Sequence, residues 1–214
     1  MLSGLFVTGT DTGVGKTIVS AALMHRLRPS GPMRYWKPVQ TGIEEDDDTA
    51  TVRRLGACGD TEVFDDGVRL PRPLSPHASA RLAGVTIAID DIVHRVAGQA
   101  SPPTWIVEGA GGVLVPLNDR ELMIDLMVRL ALPVVVVSRS GLGTINHTLL
   151  TLEALAARRL AVAGVVMNGP LDPSNRAAIE TYGRVPVIGE LPPLEPLSAD
   201  TLSARAQTFR LDRA

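Results

Sequence analysis

Cysteine is nearly absent. Cys58 is the one thiol in 214 residues, so no internal disulfide can form and nothing ties the chain to an oxidising compartment. Cys58 also lacks a cysteine partner for a zinc site, and His25, His94 and His147 stand at no metal-ligand spacing from one another. Neither sign of charge is in excess: 21 basic and 23 acidic residues leave a net charge of −2, without the basic face that a large nucleic-acid footprint needs. No apolar run approaches the roughly 20 residues of a membrane-spanning helix. The opening Met1-Leu2-Ser3-Gly4-Leu5-Phe6-Val7 has no basic n-region and too short an apolar run for a signal peptide. No linker divides the chain, and it shows neither internal repeat nor coiled coil. These absences predict a cytoplasmic protein that binds neither nucleic acid nor membrane, with residues 1–214 forming one domain.

Apolar residues, in contrast, make up 45% of the chain, enough for a sizeable core, and their pattern is regular. Short apolar runs at Leu5–Thr8, Arg34–Lys37, Thr104–Glu108, Val134–Val137, Val162–Met167 and Val185–Gly189 read as strands. Between and after them, helical patterns cover Thr17–Leu27, Thr49–Leu55, Ile89–Val96, Leu122–Leu130, Thr144–Arg158, Asn175–Tyr182 and Ala199–Phe209. Four consecutive valines at Val134–Val137 suit a strand covered on both faces. The Pro-rich segment Leu191–Leu197 cannot be a regular helix. This alternation predicts an α/β fold, a mostly parallel sheet with helices on both faces.

The first strand runs into Gly9-Thr10-Asp11-Thr12-Gly13-Val14-Gly15-Lys16-Thr17, which opens a helix. That is the context of a P-loop. Its glycines let several N–H groups face one point and, with the helix N-terminus, form an anion site. Lys16 would reach the β- and γ-phosphates of a nucleoside triphosphate, and the Thr17 hydroxyl would sit on Mg²⁺. Five residues rather than four separate Gly9 from Gly15, a departure from the strict motif.

Ligands of open α/β sheets bind beyond the carboxyl ends of the strands, and glycines and polar groups gather there. Lys37 ends the second strand, either as a surface lysine or as a second cation beside the γ-phosphate. Glu108 ends the third, followed by Gly109-Ala110-Gly111-Gly112; a carboxylate there could hold Mg²⁺, or be an ordinary strand-end acid. The acidic run Glu44–Asp48 is a solvated stretch, support for the next helix, or in one member a metal ligand. Gly143-Thr144-Ile145-Asn146 opens a helix that could receive an anion, with capping by Thr144 as the simpler use. Ser75-Pro76-His77 reads as a structural N-cap with proline at the first helical position.

Six segments together resemble the dethiobiotin synthetase family: Val7–Thr17, Lys37–Gly42, Ser75–His77, Val107–Gly112, Leu142–His147 and Gly189–Pro192. They occur in the family's order, and the lengthened P-loop is itself similar to the family's form. The resemblance implies a P-loop NTPase-type enzyme that carboxylates 7,8-diaminononanoate with CO₂ and closes dethiobiotin at the expense of ATP. It implies Lys37 and Lys16 as catalytic cations, and Thr41 as a substrate contact. It also implies Thr17, Asp48 and Glu108 as Mg²⁺ ligands, Asp48 being preferred over Asp46 and Asp47 because it directly precedes the helical segment. ATP would be held by Gly13, Val14, Gly15, Lys16, Thr17, Ile18, Asp48, Glu108, Gly109, Ala110 and Gly111. Its base would be flanked by Asn168, Gly169, Pro192, Pro193 and Leu194, although the tail after Leu194 departs from the family pattern. Gly143, Thr144, Ile145 and Asn146 would reach the substrate of a second subunit in a homodimer. Two rivals are an amidating ligase on the same scaffold, which needs an ammonia source, and a MinD/ParA-like ATPase. The latter tends to carry a second lysine early in the P-loop, where Thr10 to Val14 contain none.

Overall fold

The structure is a computed structural model that describes residues 2–99 and 103–211. Among the described residues there are nine strands and eight α-helices. In chain order the strands are β1 (Ser3–Gly9), β2 (Met33–Trp36), β3 (Val39–Thr41), β4 (Val63–Phe64), β5 (Val68–Leu70), β6 (Thr104–Gly112), β7 (Val134–Arg139), β8 (Val162–Asn168) and β9 (Val187–Leu191). The helices are α1 (Lys16–Leu27), α2 (Asp48–Leu55), α3 (Pro76–Leu82), α4 (Ile89–Ala97), α5 (Met123–Leu130), α6 (Thr144–Ala157), α7 (Pro173–Gly183) and α8 (Ala199–Ala206).

Seven strands form one sheet in the order β4-β2-β6-β1-β7-β8-β9, every neighbouring pair parallel. This is a P-loop NTPase-type α/β fold. Parallel strands need crossovers, and the crossover helices cover both faces, so each central strand feeds two cores. Phe6, Trp36, Val107, Val134 and Val136 point to the face packed by α4, α5, α6 and α7. Leu5, Val7, Tyr35, Ile106, Val135 and Val137 point to the face packed by α1, α2 and α8. That division follows from the period of two along a strand. It explains why Val134–Val137 reads as an unbroken apolar run: all four side chains are fully buried. On the first face Trp36, Phe64 and Trp105 meet edge-on, with ring centroids 5.6 to 6.2 Å apart. The anchored indole of Trp36 keeps its neighbours Tyr35 and Lys37 on the opposite side.

Three features depart from the sequence reading. β6 continues through the glycines to Gly112, so Glu108 lies inside a strand, not at its end. A separate two-stranded sheet of β3 and β5, and the short edge strand β4, were not predicted; three-residue strands carry too little pattern to be seen. The closing helix stops at Ala206, after which Phe209 is buried against Gly189 and Arg210 N–H bonds to Ile188 C=O at 2.7 Å. Among the described residues no helix is long and apolar enough to cross a membrane.

Candidate active site

β1 is the central strand, and the chain leaves it toward β2 on one side while β6 leads to β7 on the other. The P-loop therefore lies at the switch point of the sheet, where clefts form. Gly15 serves as the N-cap of α1 with φ +97°, a conformation that favours glycine. A Cβ there would also stand 2.1 Å from Asn168 Nδ2, because the Asn168 amide donates to the Val14 carbonyl at 2.9 Å. Lys16 is buried, and its ammonium folds onto the Asp11 carbonyl at 2.9 Å. Burial, then repulsion from Lys37, pulls the Lys16 ammonium down to about 8.

Beside the loop lies a compact ionic cluster. Glu108 is fully buried, Lys37 is 3% exposed, and Lys37 Nζ donates to Glu108 Oε1 at 2.7 Å. The same ammonium pairs with Asp48. The Thr17 hydroxyl lies 2.7 Å from Asp48 Oδ1 and 3.0 Å from Glu108 Oε1. Burial works against the Lys37 charge, but the Glu108 and Asp48 carboxylates outweigh it and raise the ammonium above its ordinary value. Burial likewise pushes the Asp48 carboxyl upward, and the Lys37 ammonium and Thr17 hydroxyl more than offset this, leaving it below its ordinary value. From behind, the Tyr35 hydroxyl donates to Glu108 Oε2 at 3.0 Å. Burial, followed by the Glu108 and Asp48 charges, drives this phenol well above its ordinary value, so it remains a donor.

The cluster opens into a cavity of about 580 Å³, and of the sequence-predicted residues Gly13, Gly15, Lys16, Thr17, Ile18, Lys37, Thr41, Asp48, Glu108, Ala110 and Gly111 line it. Asp48 is the first residue of α2, and Asp47 is the N-cap, accepting from Ala50 N–H at 3.0 Å. The fold thus separates neighbours that spacing alone could not: Asp48 reaches Lys37 and Thr17, and Asp47 caps the helix. Val14 and Gly109 are buried beside the cavity without lining it. Asn168 abuts the P-loop; Gly169, just after β8, and Pro192, Pro193 and Leu194, just after β9, stand outside the cavity. Gly143, Thr144, Ile145 and Asn146 also stand outside it, at the start of α6. The N-cap of that helix is Gly143 rather than Thr144, whose hydroxyl turns back to the Arg139 carbonyl at 2.5 Å.

Sequence reasoning missed Thr51, Pro73, Leu74, Ser75, Pro76 and Val115, which also line the cavity. Ser75 does cap α3 in position, with Pro76 first in the helix, but its hydroxyl meets His77 Nδ1 at 3.1 Å and makes no capping bond to the backbone. The Ser75–Pro76 corner is therefore part of the cavity wall as well as a helix start. One signal was available: the chain has only two lysines, Lys16 and Lys37, and every other residue counted as Lys or Arg is arginine. Both lysines line the cavity.

The donor set consists of two carboxylates and a hydroxyl, all hard oxygens, which fits a Mg²⁺ ion shared with nucleotide phosphates. Beside it stand two ammonium groups able to screen anions that must approach one another.

Comparisons with known proteins find relatives along nearly the whole chain. A family described as an AAA domain matches residues 3–201. The ATP-dependent dethiobiotin synthetase BioD of Paramagnetospirillum magneticum is 50% identical over 202 residues, covering 94% of each chain. The enzyme of the same name from Brucella ovis is 44% identical over 213 residues, covering 99% of this chain and 97% of its own. Among solved structures, the septum site-determining protein MinD of Pyrococcus horikoshii in complex with Mg-ADP superposes with a TM-score of 0.61 at 14% identity. It covers 97% of this chain and 94% of its own, a likeness of fold alone.

Proposed function

The chain belongs to the dethiobiotin synthetase family, and from that premise we propose that it uses ATP to close the cyclic urea of dethiobiotin from 7,8-diaminononanoate and CO₂, in biotin biosynthesis. One observation carries the reading: two ammonium groups, two carboxylates and a threonine hydroxyl converge beside a P-loop. That set matches the electrostatic needs of phosphoryl transfer onto an anion.

One amine of the diamine takes up CO₂ and loses a proton, giving a carbamate. A carbamate is a poor electrophile, so an oxygen of it attacks the γ-phosphorus and ADP leaves, forming a carbamic–phosphoric mixed anhydride. The second amine then attacks the carbamate carbon and loses a proton, closing the ring and expelling phosphate. Carbamate and γ-phosphate are both anionic, and Lys16 and Lys37 would screen their approach. Thr17, Asp48 and Glu108 would hold Mg²⁺, which supplies neutralisation of phosphate charge when bound. The Thr41 hydroxyl, on the cavity wall, would orient the substrate. Gly13 to Ile18 and Gly109 to Gly111 would surround the phosphates, and Asn168, Gly169 and Pro192 to Leu194 the base. Gly143 to Asn146 would serve the site of a second subunit in a homodimer.

The test is direct. Purified protein with ATP, Mg²⁺, bicarbonate and the diamine should yield dethiobiotin by mass spectrometry, with ADP formation dependent on the diamine. No product under these conditions would overturn the reading. ATP hydrolysis indifferent to the diamine would favour a partner-switching ATPase instead.

A further inference from the structure

The cavity wall does not account for every contact to the ionic cluster. Tyr35 in β2 and Lys37, the residue just past the end of that strand, face the same side of the sheet. Both reach Glu108 on β6, but they take different oxygens: Lys37 and Thr17 contact Oε1, and Tyr35 donates to Oε2 at 3.0 Å. Tyr35 is fully buried and does not line the cavity. Its hydroxyl has no route to substrate except through the carboxylate.

We infer that Tyr35 is a positioning residue, fixing the rotation of the Glu108 carboxylate so that Oε1 is held toward Thr17 and Lys37. The terminal torsion of a glutamate is broad and roughly twofold, so a carboxylate anchored on one side alone can swing or exchange its oxygens. A donor on the inner oxygen removes that freedom. A buried tyrosine hydroxyl needs some acceptor, and a backbone carbonyl would satisfy it; here the acceptor is the one fully buried carboxylate of the site. The inference rests on the reading of Glu108 as a metal ligand, for which outer-shell partners normally orient the inner donors.

Tyr35→Phe removes the hydroxyl and keeps the ring. Mn²⁺ binding in the presence of a non-hydrolysable ATP analogue, followed by electron paramagnetic resonance, should weaken by about tenfold. The apparent Mg²⁺ requirement of turnover should rise in parallel, while binding of the analogue without metal stays unchanged. Glu108→Gln is the reference and should weaken Mn²⁺ binding at least as much. Ile179→Val, a core truncation on the other face of the sheet, should lower stability and leave Mn²⁺ affinity alone. Wild-type Mn²⁺ affinity in Tyr35→Phe beside a weakened Glu108→Gln would overturn the inference and leave the metal site standing. Equal weakening in Ile179→Val would also overturn it, since stability alone would then explain the loss. Undiminished binding in Glu108→Gln would overturn the metal-site reading and the inference with it.

Discussion

Lys37 is held by two carboxylates, one of them fully buried, and this sets what its removal does. Taking one partner from a buried ion pair costs about 3–5 kcal/mol when the other charge is left uncompensated. Lys37→Ala should therefore lower the melting temperature as well as activity, and the two effects separate by assay. Turnover should fall by at least about a hundredfold, the scale of losing one preorganised electrostatic contact, while calorimetry still detects ATP binding through the P-loop amides. Turnover within a few-fold of wild type would remove Lys37 from the chemistry. The scarcity of lysine offers a second measurement at this scale. An amine-directed acylating reagent should modify side chains only at Lys16 and Lys37, and saturating ATP should suppress the reaction at Lys16. Persistent labelling of Lys16 under ATP, read by peptide mass spectrometry, would contradict its place at the phosphates. The sequence exposed Lys16 and Thr17 because their motif is local and contiguous. It left Lys37 and Glu108 ambiguous because their meaning depends on β2 and β6 being neighbours, and Tyr35 was invisible because a tyrosine in a strand reads as core.

At the scale of elements, the P-loop is locked from outside. The left-handed φ of Gly15 and the 2.1 Å approach of Asn168 to its missing Cβ are separate constraints, and a substitution meets both. Gly15→Ala should destabilise the fold by about 1–3 kcal/mol through backbone strain and weaken ATP binding by displacing the loop. Adding Asn168→Ala should recover part of the loss and no more, since it relieves the contact and not the φ; denaturation and calorimetry of the two variants check this. A second element-level tie lies at the connection after α1. Arg28 Nε donates to Glu62 Oε1 at 2.9 Å, and Glu62 Oε2 accepts from Gly59 N–H at 2.9 Å. The bond from Arg28 holds the Glu62 carboxyl below its ordinary value. A carboxyl lowered by folding adds stability above the unfolded-state value, lost as pH falls through the folded-state value. Glu62→Gln should thus be less stable than wild type at neutral pH, and the difference should shrink to nothing in acid. A gap unchanged between neutral pH and acid would show that packing, not charge, is at stake. Long helices and buried strands were legible because their periods repeat several times. β3, β4 and β5 were not, and of α3 only its Ser75–Pro76 start was, since segments of two to seven residues owe their structure to what they pack on. The start of α3 brings Ser75 and Pro76 to the cavity wall, a role that a helix cap alone does not announce.

For the whole molecule, the arrangement of exposed apolar groups raises the question of what completes the site. Leu142 is entirely exposed, and Leu74, Leu114 and Leu150 are each more than two-fifths exposed. Leu142 precedes α6, whose first turn carries the exposed Asn146, and Leu74 lines the cavity itself. Gly143 to Asn146 lie outside the cavity of their own chain, so they reach substrate either in the cavity of a second copy or by serving their own chain from outside the cavity. A twofold homodimer places the same patch on both subunits, and each cavity would then receive its partner's α6 start. Complementation decides between the alternatives. Lys37→Ala and Asn146→Ala should each be nearly inactive in turnover. If the site is shared, a heterodimer of the two variants has one cavity with both defects and one with neither. An equal mixture allowed to exchange subunits should then recover about a quarter of wild-type activity, half of the dimers being mixed with one competent site each. If Asn146 serves its own chain, every cavity in the mixture carries a defect and nothing is recovered. Sedimentation in the same buffer fixes the other premise, because a monomer at working concentration would leave the Asn146 loop without a substrate to touch.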